Sequence, residues 1–236
     1  VRMIEYVLTG DRNTLVDFIR HCMDEAVEKL DFERAAFYRD KLDAVTTLYG
    51  ARREFGEMLA LQRSLDLERM PVWIEAVDIS GFQRQDVCGS VVVFENGLPK
   101  KSEYRRFKIR NPVEDDFRMI EEVVYRRLRR LQEEKKRTPD LIVVDGGQMQ
   151  VRFAVTARDR LGVSVPIIGI AKKQEEIWKE GADKPLRLRR SDPALRLVQR
   201  LRDEAHRFVN AYYQKLKQKS LFGNRLKKQK LRDRHA

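Results

Sequence analysis

Three acidic or basic positions, far apart in the chain, have residue types that could work as one chemical unit. Asp78 stands inside an apolar run, Val77-Asp78-Ile79. A carboxylate there is either paired, hydrogen-bonded or cation-bound, or it faces water on an alternating strand. Glu75 and Ser80 leave both readings open. Asp145 closes the apolar run Leu141-Ile142-Val143-Val144 and precedes Gly146-Gly147. Ligands gather beyond the carboxyl ends of parallel strands, and paired glycines let the backbone turn sharply towards a substrate. The plainer reading is an Asp that caps the next helix. His206 shares a helical face with Asp203, Asn210 and Tyr213, beside the stripe Val198, Leu201, Ala205, Phe208, Val209 and Tyr212. Taken alone, that face is a solvent boundary. Asp115 and Asp116 offer further carboxylates, or simply complement a helix dipole. Carboxylate oxygens of this kind suit Mg²⁺ or Mn²⁺. Such an ion orients a water and stabilises charge on a phosphate under attack.

The elements that must position these residues follow from periodicity. Leu15, Phe18, Ile19, Cys22, Met23, Ala26 and Leu30 recur at helical spacing. Asp31 then reads as an N-cap with Glu33 in the first turn, and Ala35, Ala36, Leu42, Val45 and Leu48 mark a second helix. The short join predicts an antiparallel hairpin over about 15–50, with Gly50 interrupting the second helix and more helix to about Glu68. From Val72 the period changes to two. Strands are expected at 72–80, 87–95 and 101–109, with Asn96-Gly97 as a hairpin turn. A helix follows at 115–134, then a strand at 141–144, a helix at 148–161 and a strand at 165–170. A small hairpin around Gly181 comes next, and a last helix from Pro193 to about Lys217. This order predicts an α/β fold: a mixed sheet covered by helices, after an N-terminal helical hairpin. An Asp on the first strand, an Asp ending the fourth and a ligand on the final helix is the layout of RNase H-like metal nucleases.

The chain has 236 residues, 36% charged, with a net charge of +12. That favours a polyanionic partner. From Tyr213 onward there are nine Lys or Arg residues and a single acid, Asp233, so much of the excess lies in a basic tail. Such a tail is either a solvated terminus or a phosphate contact. Cys22 and Cys88 have no ligand-spaced neighbours, which fits a reducing cytoplasm and argues against a disulfide framework or zinc site. No apolar run is long enough for a membrane span, and no signal peptide is visible. A chain that begins at Val1 reads as a piece of something longer.

Several stretches resemble the UvrC family, the incision subunit of bacterial nucleotide excision repair. They are Asp78-Ile79-Ser80, Lys100-Lys101-Ser102-Glu103-Tyr104-Arg105-Arg106-Phe107, Asp115-Asp116-Phe117 and Asp145-Gly146-Gly147. Also similar are Ile168-Gly169-Ile170-Ala171-Lys172-Lys173, Ser191-Asp192-Pro193-Ala194-Leu195 and Arg202-Asp203-Glu204-Ala205-His206-Arg207-Phe208. Upstream, Leu30-Asp31-Phe32-Glu33-Arg34-Ala35-Ala36 with Arg39-Asp40 resembles the UVR motif, a hairpin that contacts UvrB. The resemblance implies helical residues 1–70, an RNase H-like endonuclease domain over 71–222 and a basic tail at 223–236. It implies a catalytic set of Asp78, Asp145 and His206 with Asp116 as a further acid, Mg²⁺ or Mn²⁺ on the first three, and the incision 5′ to a lesion in damaged double-stranded DNA. Lys100, Lys101, Arg105, Arg106, Lys172, Lys173, Lys215, Lys217 and Lys219 are the expected DNA contacts. Phe32, Glu33, Arg34, Phe37 and Arg39 are the expected UvrB contacts. Two departures stand out. Gly81-Phe82-Gln83-Arg84 replaces the family's usual residues after Asp-Ile-Ser, and a basic tail stands where members continue into a helix-hairpin-helix region. The competing reading is a non-cleaving RNase H-like scaffold that docks DNA and UvrB. RNA cleavage by the same fold is a third.

Overall fold

The structure is a computed structural model, and it describes residues 12–82, 85–109, 116–171 and 175–211. The chain forms two compact units, Val1–Gly56 and Glu57–Ala236. The first holds α1 (Arg12–Glu28) and most of α2 (Phe32–Leu65). Their join is short because Leu30 adopts φ 56°, so that the Asp31 N–H can donate back to the Ala26 carbonyl at 2.9 Å. Asp31 then caps α2, its Oδ1 accepting from the Arg34 N–H at 3.1 Å. The expected break at Gly50 is absent. A mid-helix glycine costs about 1 kcal/mol relative to alanine, too little to stop a helix that runs unbroken to Leu65.

In the second unit the last turns of α2 bury Met58, Leu61 and Leu65 in the core. The change of period at Val72 is real. β1 (Trp73–Phe82) and β2 (Gln85–Glu95) pair antiparallel, and Asn96 and Gly97, both at positive φ, turn the chain into β3 (Leu98–Pro99). The expected strand 101–109 is shorter than its pattern. A 3₁₀ turn takes Lys101–Glu103 before β4 (Arg105–Lys108) rejoins β2. Then come α3 (Asp116–Glu133), β5 (Leu141–Asp145), α4 (Gln148–Asp159), β6 (Ile167–Ala171) and β7 (Glu176–Lys179). Helix α5 spans 193–211 in the described residues; Asp192 accepts from the Ala194 N–H at 2.8 Å and Pro193 fills the first turn.

The sheet is mixed. Its order is β3-β2-β1-β5-β6-β7, with β4 also on β2. β1, β5 and β6 are mutually parallel neighbours, so their carboxyl ends share one edge. Both faces are covered. One packs Ile74, Ala76, Val143, Ile168 and Ile170 against Leu197, Val198 and Leu201 of α5. The other packs Val77, Val91, Ile142 and Val144 against α3 and α4. Successive strand residues therefore alternate between two buried layers, not between core and water. No described helix is long and apolar enough to cross a membrane.

Candidate metal centre and active site

Asp78 belongs to the face of β1 that α5 covers, in step with Ile74 and Ala76. It is 4% exposed. Strand β5 runs beside β1 with Val77 opposite Val144. One residue further on, Asp145 reaches the same level and the same face. From above, α5 brings His206, whose Nδ1 lies 3.1 Å from Asp78 Oδ2 across 128 residues of chain. One ligand atom from each of the three falls within 4.8 Å of the others. The cluster is graded: Asp78 is buried, Asp145 is intermediate and His206 is half exposed. It opens to solvent on the His206 side, where β5 ends at Asp145.

Local backbone chemistry supports the placement. Gly146 takes φ 150°, where a Cβ would lie 2.4 Å from the Gln150 side chain. The turn is held by the Gly146 N–H donating to the Ile170 carbonyl at 3.0 Å and the Gly147 N–H donating to Gln150 Oε1 at 3.0 Å. Gly169 lets β6 come close beneath it; a Cβ there would sit 2.5 Å from the Gly146 carbonyl oxygen. Helix α5 is tied down on both sides of His206. The Ser80 hydroxyl donates to Asn210 Oδ1 at 3.3 Å and the Ser90 hydroxyl to the Ala205 carbonyl at 3.3 Å. The Tyr104 hydroxyl donates to Glu204 Oε1 at 2.9 Å. Arg207 and that hydroxyl hold the Glu204 carboxyl below the ordinary glutamate range. Burial, then the bond to the Glu204 carboxylate, pushes the Tyr104 phenol up.

The other expected site residues are spread more widely. Arg106 is exposed on the α5 face, its guanidinium 4.2 Å over the Phe208 ring. Arg105 is on the opposite face beside Val91, donating to the Ser102 and Tyr104 carbonyls. Lys101 is exposed in the 3₁₀ turn. Lys100 is away from the cluster, over Trp73 at the start of β1 and paired with Glu95 at 2.7 Å. Asp116 opens α3, though only its backbone is described. Asp115, Lys172, Lys173, Lys215, Lys217, Lys219 and the tail 223–236 lie outside the described residues. In the helical unit Phe32 and Phe37 are 67% and 53% exposed. Glu33 and Arg34 are exposed beside them, and Arg39 pairs with Asp40 at 2.9 Å.

Two features are not visible in the sequence pattern. Glu75, on the far face of β1, takes a bidentate ion pair from Arg127 at 2.6 and 2.8 Å, both groups fully buried. Only an unpaired-looking Arg in the apolar stripe of α3 points to it. Beside the cluster, Glu175 at φ 53° accepts from the Gln199 side chain and sits 3.7 Å from Arg202, one turn before His206. Nothing in the local pattern marks that wall.

Residues 62–209, more than half of the chain, match the model of the "UvrC RNAse H endonuclease domain". Residues 19–45 match the "UvrB/uvrC motif". The chain is 44% identical over 206 residues to UvrABC system protein C of Gemmatimonas aurantiaca, covering 85% of this chain and 31% of that protein. It is 40% identical over 215 residues to UvrABC system protein C of Methanosarcina acetivorans, covering 88% and 41%. The chain thus spans well under half the length of these relatives. Among solved structures it is similar to the endonuclease V of Streptomyces avermitilis, at TM-score 0.39 and 15% identity over 70% of this chain and 94% of that one.

Proposed function

We propose that this chain, which belongs to the UvrC RNase H endonuclease domain family, is a metal-dependent DNA endonuclease that makes the 5′ incision in nucleotide excision repair. The observation that carries the reading is the convergence of Asp78, Asp145 and His206. Two carboxylates this close, one of them buried, repel each other, and a cation relieves that repulsion. The donor set of two carboxylates and one imidazole fits Mg²⁺ or Mn²⁺. Asp78, Asp145 and His206 would hold the ion. When bound, it supplies the Lewis acidity that makes a water nucleophilic at neutral pH and the charge that neutralises the leaving oxygen.

The chain's own residues do the rest. Asp78 and Asp145 fix a focus of negative charge at the sheet edge. Gly146 leaves room for the Gln150 side chain, which accepts from the Gly147 N–H and so holds the turn that follows Asp145. Water oxygen adds to phosphorus, the opposite P–O bond breaks, and the departing oxygen takes a proton. His206 stands at the solvent-exposed rim. Ser80 and Asn210 keep α5, and with it His206, at a fixed height over the carboxylates.

Within this reading residues 1–70 recruit, residues 71–222 cut, and the basic tail 223–236 adds unspecific phosphate affinity in the cytoplasm. The exposed Phe32 and Phe37 rings, flanked by Glu33, Arg34 and Arg39, form the anchor for UvrB on damaged DNA. The test is nicking of lesion-bearing duplex with UvrB loaded, in Mg²⁺ or Mn²⁺, by the chain and by its Asp145→Asn variant. Cutting on the 5′ side that Asp145→Asn loses upholds the nuclease. Retained cutting by Asp145→Asn refutes its role, and absence of cutting by both, with DNA still bound, moves the function to a scaffold.

A further inference from the structure

Helix α5 carries a cation one turn before the cluster. Arg202 and His206 are four residues apart, so their Cβ atoms are about 5–6 Å apart on one flank of the helix. His206 Nδ1 already lies 3.1 Å from Asp78 Oδ2. An arginine side chain is longer than a histidine, so the Arg202 guanidinium has the reach to meet the same carboxylates. There it would relieve their mutual repulsion and compete with a divalent ion for them. In the structure it is turned elsewhere. Its Nε and Nη2 donate to Asp203 Oδ1 at 3.0 and 2.8 Å. Its Nη1 lies 3.7 Å from Glu175 Oε1.

The two acids that hold it are unequal. Asp203 is 67% exposed, and an exposed ion pair is weak. Glu175 is more sheltered and better fixed. The row of Asp145 continues through Ile170 on β6 to Ile177 on β7. Glu175 is two residues before Ile177 and turns to the α5 side, where its carboxylate accepts from the Gln199 amide. Gln199 is one turn before Arg202 on the same flank. The Glu175 carboxylate therefore bridges the turn that leads into Arg202, on the side away from His206 along the helix. Glu175 has φ 53°, a conformation that costs a non-glycine residue free energy and persists where its surroundings hold it.

We infer that Glu175, with Asp203 beside it, is a positioning residue that holds the Arg202 guanidinium away from Asp78 and Asp145 and so keeps the cluster open to its metal ion. The inference rests on the metal-dependent reading of the site, and its test reads ion binding, not cutting. Mn²⁺ is titrated into the full chain without DNA, and free Mn²⁺ is followed by electron paramagnetic resonance. Glu175→Gln keeps an acceptor for Gln199 and loses the charge that attracts Arg202. If the released guanidinium covers the carboxylates about nine-tenths of the time, the apparent Kd for Mn²⁺ rises roughly tenfold. That rise is the expected result. Arg202→Gln alone is expected to move Kd by less than about twofold, and Glu175→Gln/Arg202→Gln to return close to wild type, so that the cycle is non-additive. An Arg202→Gln variant that tightens Mn²⁺ by the factor through which Glu175→Gln weakens it overturns the inference, because two charges acting through space add. A double variant as weak as Glu175→Gln traces the loss to a distorted turn and overturns it as well. Uptake of Mn²⁺ that Asp145→Asn abolishes and Glu175→Gln leaves unmoved keeps the metal centre and removes the role of Glu175 alone. A wild-type chain that takes up no Mn²⁺ refutes the metal centre itself, and the inference falls with it.

Discussion

Replacing Arg127 with methionine tests how the sheet is held beneath the site. Arg127 is 3% exposed and Glu75 1% exposed, and two hydrogen bonds of 2.8 and 2.6 Å join them between α3 and β1. Methionine keeps much of the stem's volume and removes the charge. Glu75 then loses both guanidinium donors and keeps the Trp73 indole N–H at 3.3 Å, in the layer of Val77, Val124 and Leu128. Removing one partner of such a pair costs about 3–5 kcal/mol. A domain's whole stability is about 5–15 kcal/mol, so the single variant should be close to the edge of folding. With an m-value near 2 kcal/mol/M in urea, the midpoint should fall by roughly 1.5–2.5 M. Urea melts followed by circular dichroism read this directly. The double variant Glu75→Leu/Arg127→Met should recover most of the loss, since an apolar pair of similar volume avoids the desolvation of both charges. A single-variant loss under about 1 kcal/mol, or a double variant as weak as the two singles summed, would refute the claim that the pair is dry and mutually dependent.

Three further outcomes are expected. Gly169→Ala places a Cβ 2.5 Å from the Gly146 carbonyl and 2.8 Å from Val151; it should cost about 1–3 kcal/mol and lower nicking while DNA affinity in EDTA holds, and unchanged nicking would show the turn to be slack. Glu204 has its carboxyl pKa depressed in the folded state by Arg207 and then Tyr104, so its stabilisation is present above the ordinary glutamate value of 4.5 and is lost as pH falls through the lower folded value. Melting of Glu204→Gln against wild type should therefore show a gap at neutral pH that closes in acid, and a gap that widens in acid has the sign wrong. Phe32→Ala/Phe37→Ala should weaken UvrB binding at least tenfold, as expected for aromatic anchors, without lowering the melting temperature, because both rings are exposed; equal affinity in a pull-down titration would remove them from the interface.

The strands and helices are legible because each period is written locally. The switch at Val72, the Asn96-Gly97 turn and the stripe of α3 need no distant information. Gly50 misleads because propensity is a small local term, and the continuous 34-residue helix outweighs it. The strand ahead of Phe107 reads too long because Lys101-Ser102-Glu103 contains no Gly or Pro to mark where the 3₁₀ turn ends and the strand begins. The site is harder for a different reason. In β1 the alternation Ile74, Glu75, Ala76, Val77, Asp78 puts one carboxylate on each face, and both faces turn out to be dry. Whether a buried carboxylate is structural or chemical depends on what meets it. Glu75 meets an arginine 52 residues away and is neutralised. Asp78 meets a histidine 128 residues away and stands level with Asp145. Neither meeting is encoded in a local period, so the two acids are indistinguishable until α3 and α5 are placed. Phe208 makes the same point from the other side. Its spacing assigns it to an apolar stripe, and only the row Arg106-Ser90-Asp78 shows that its ring faces a charged, exposed partner beside the site.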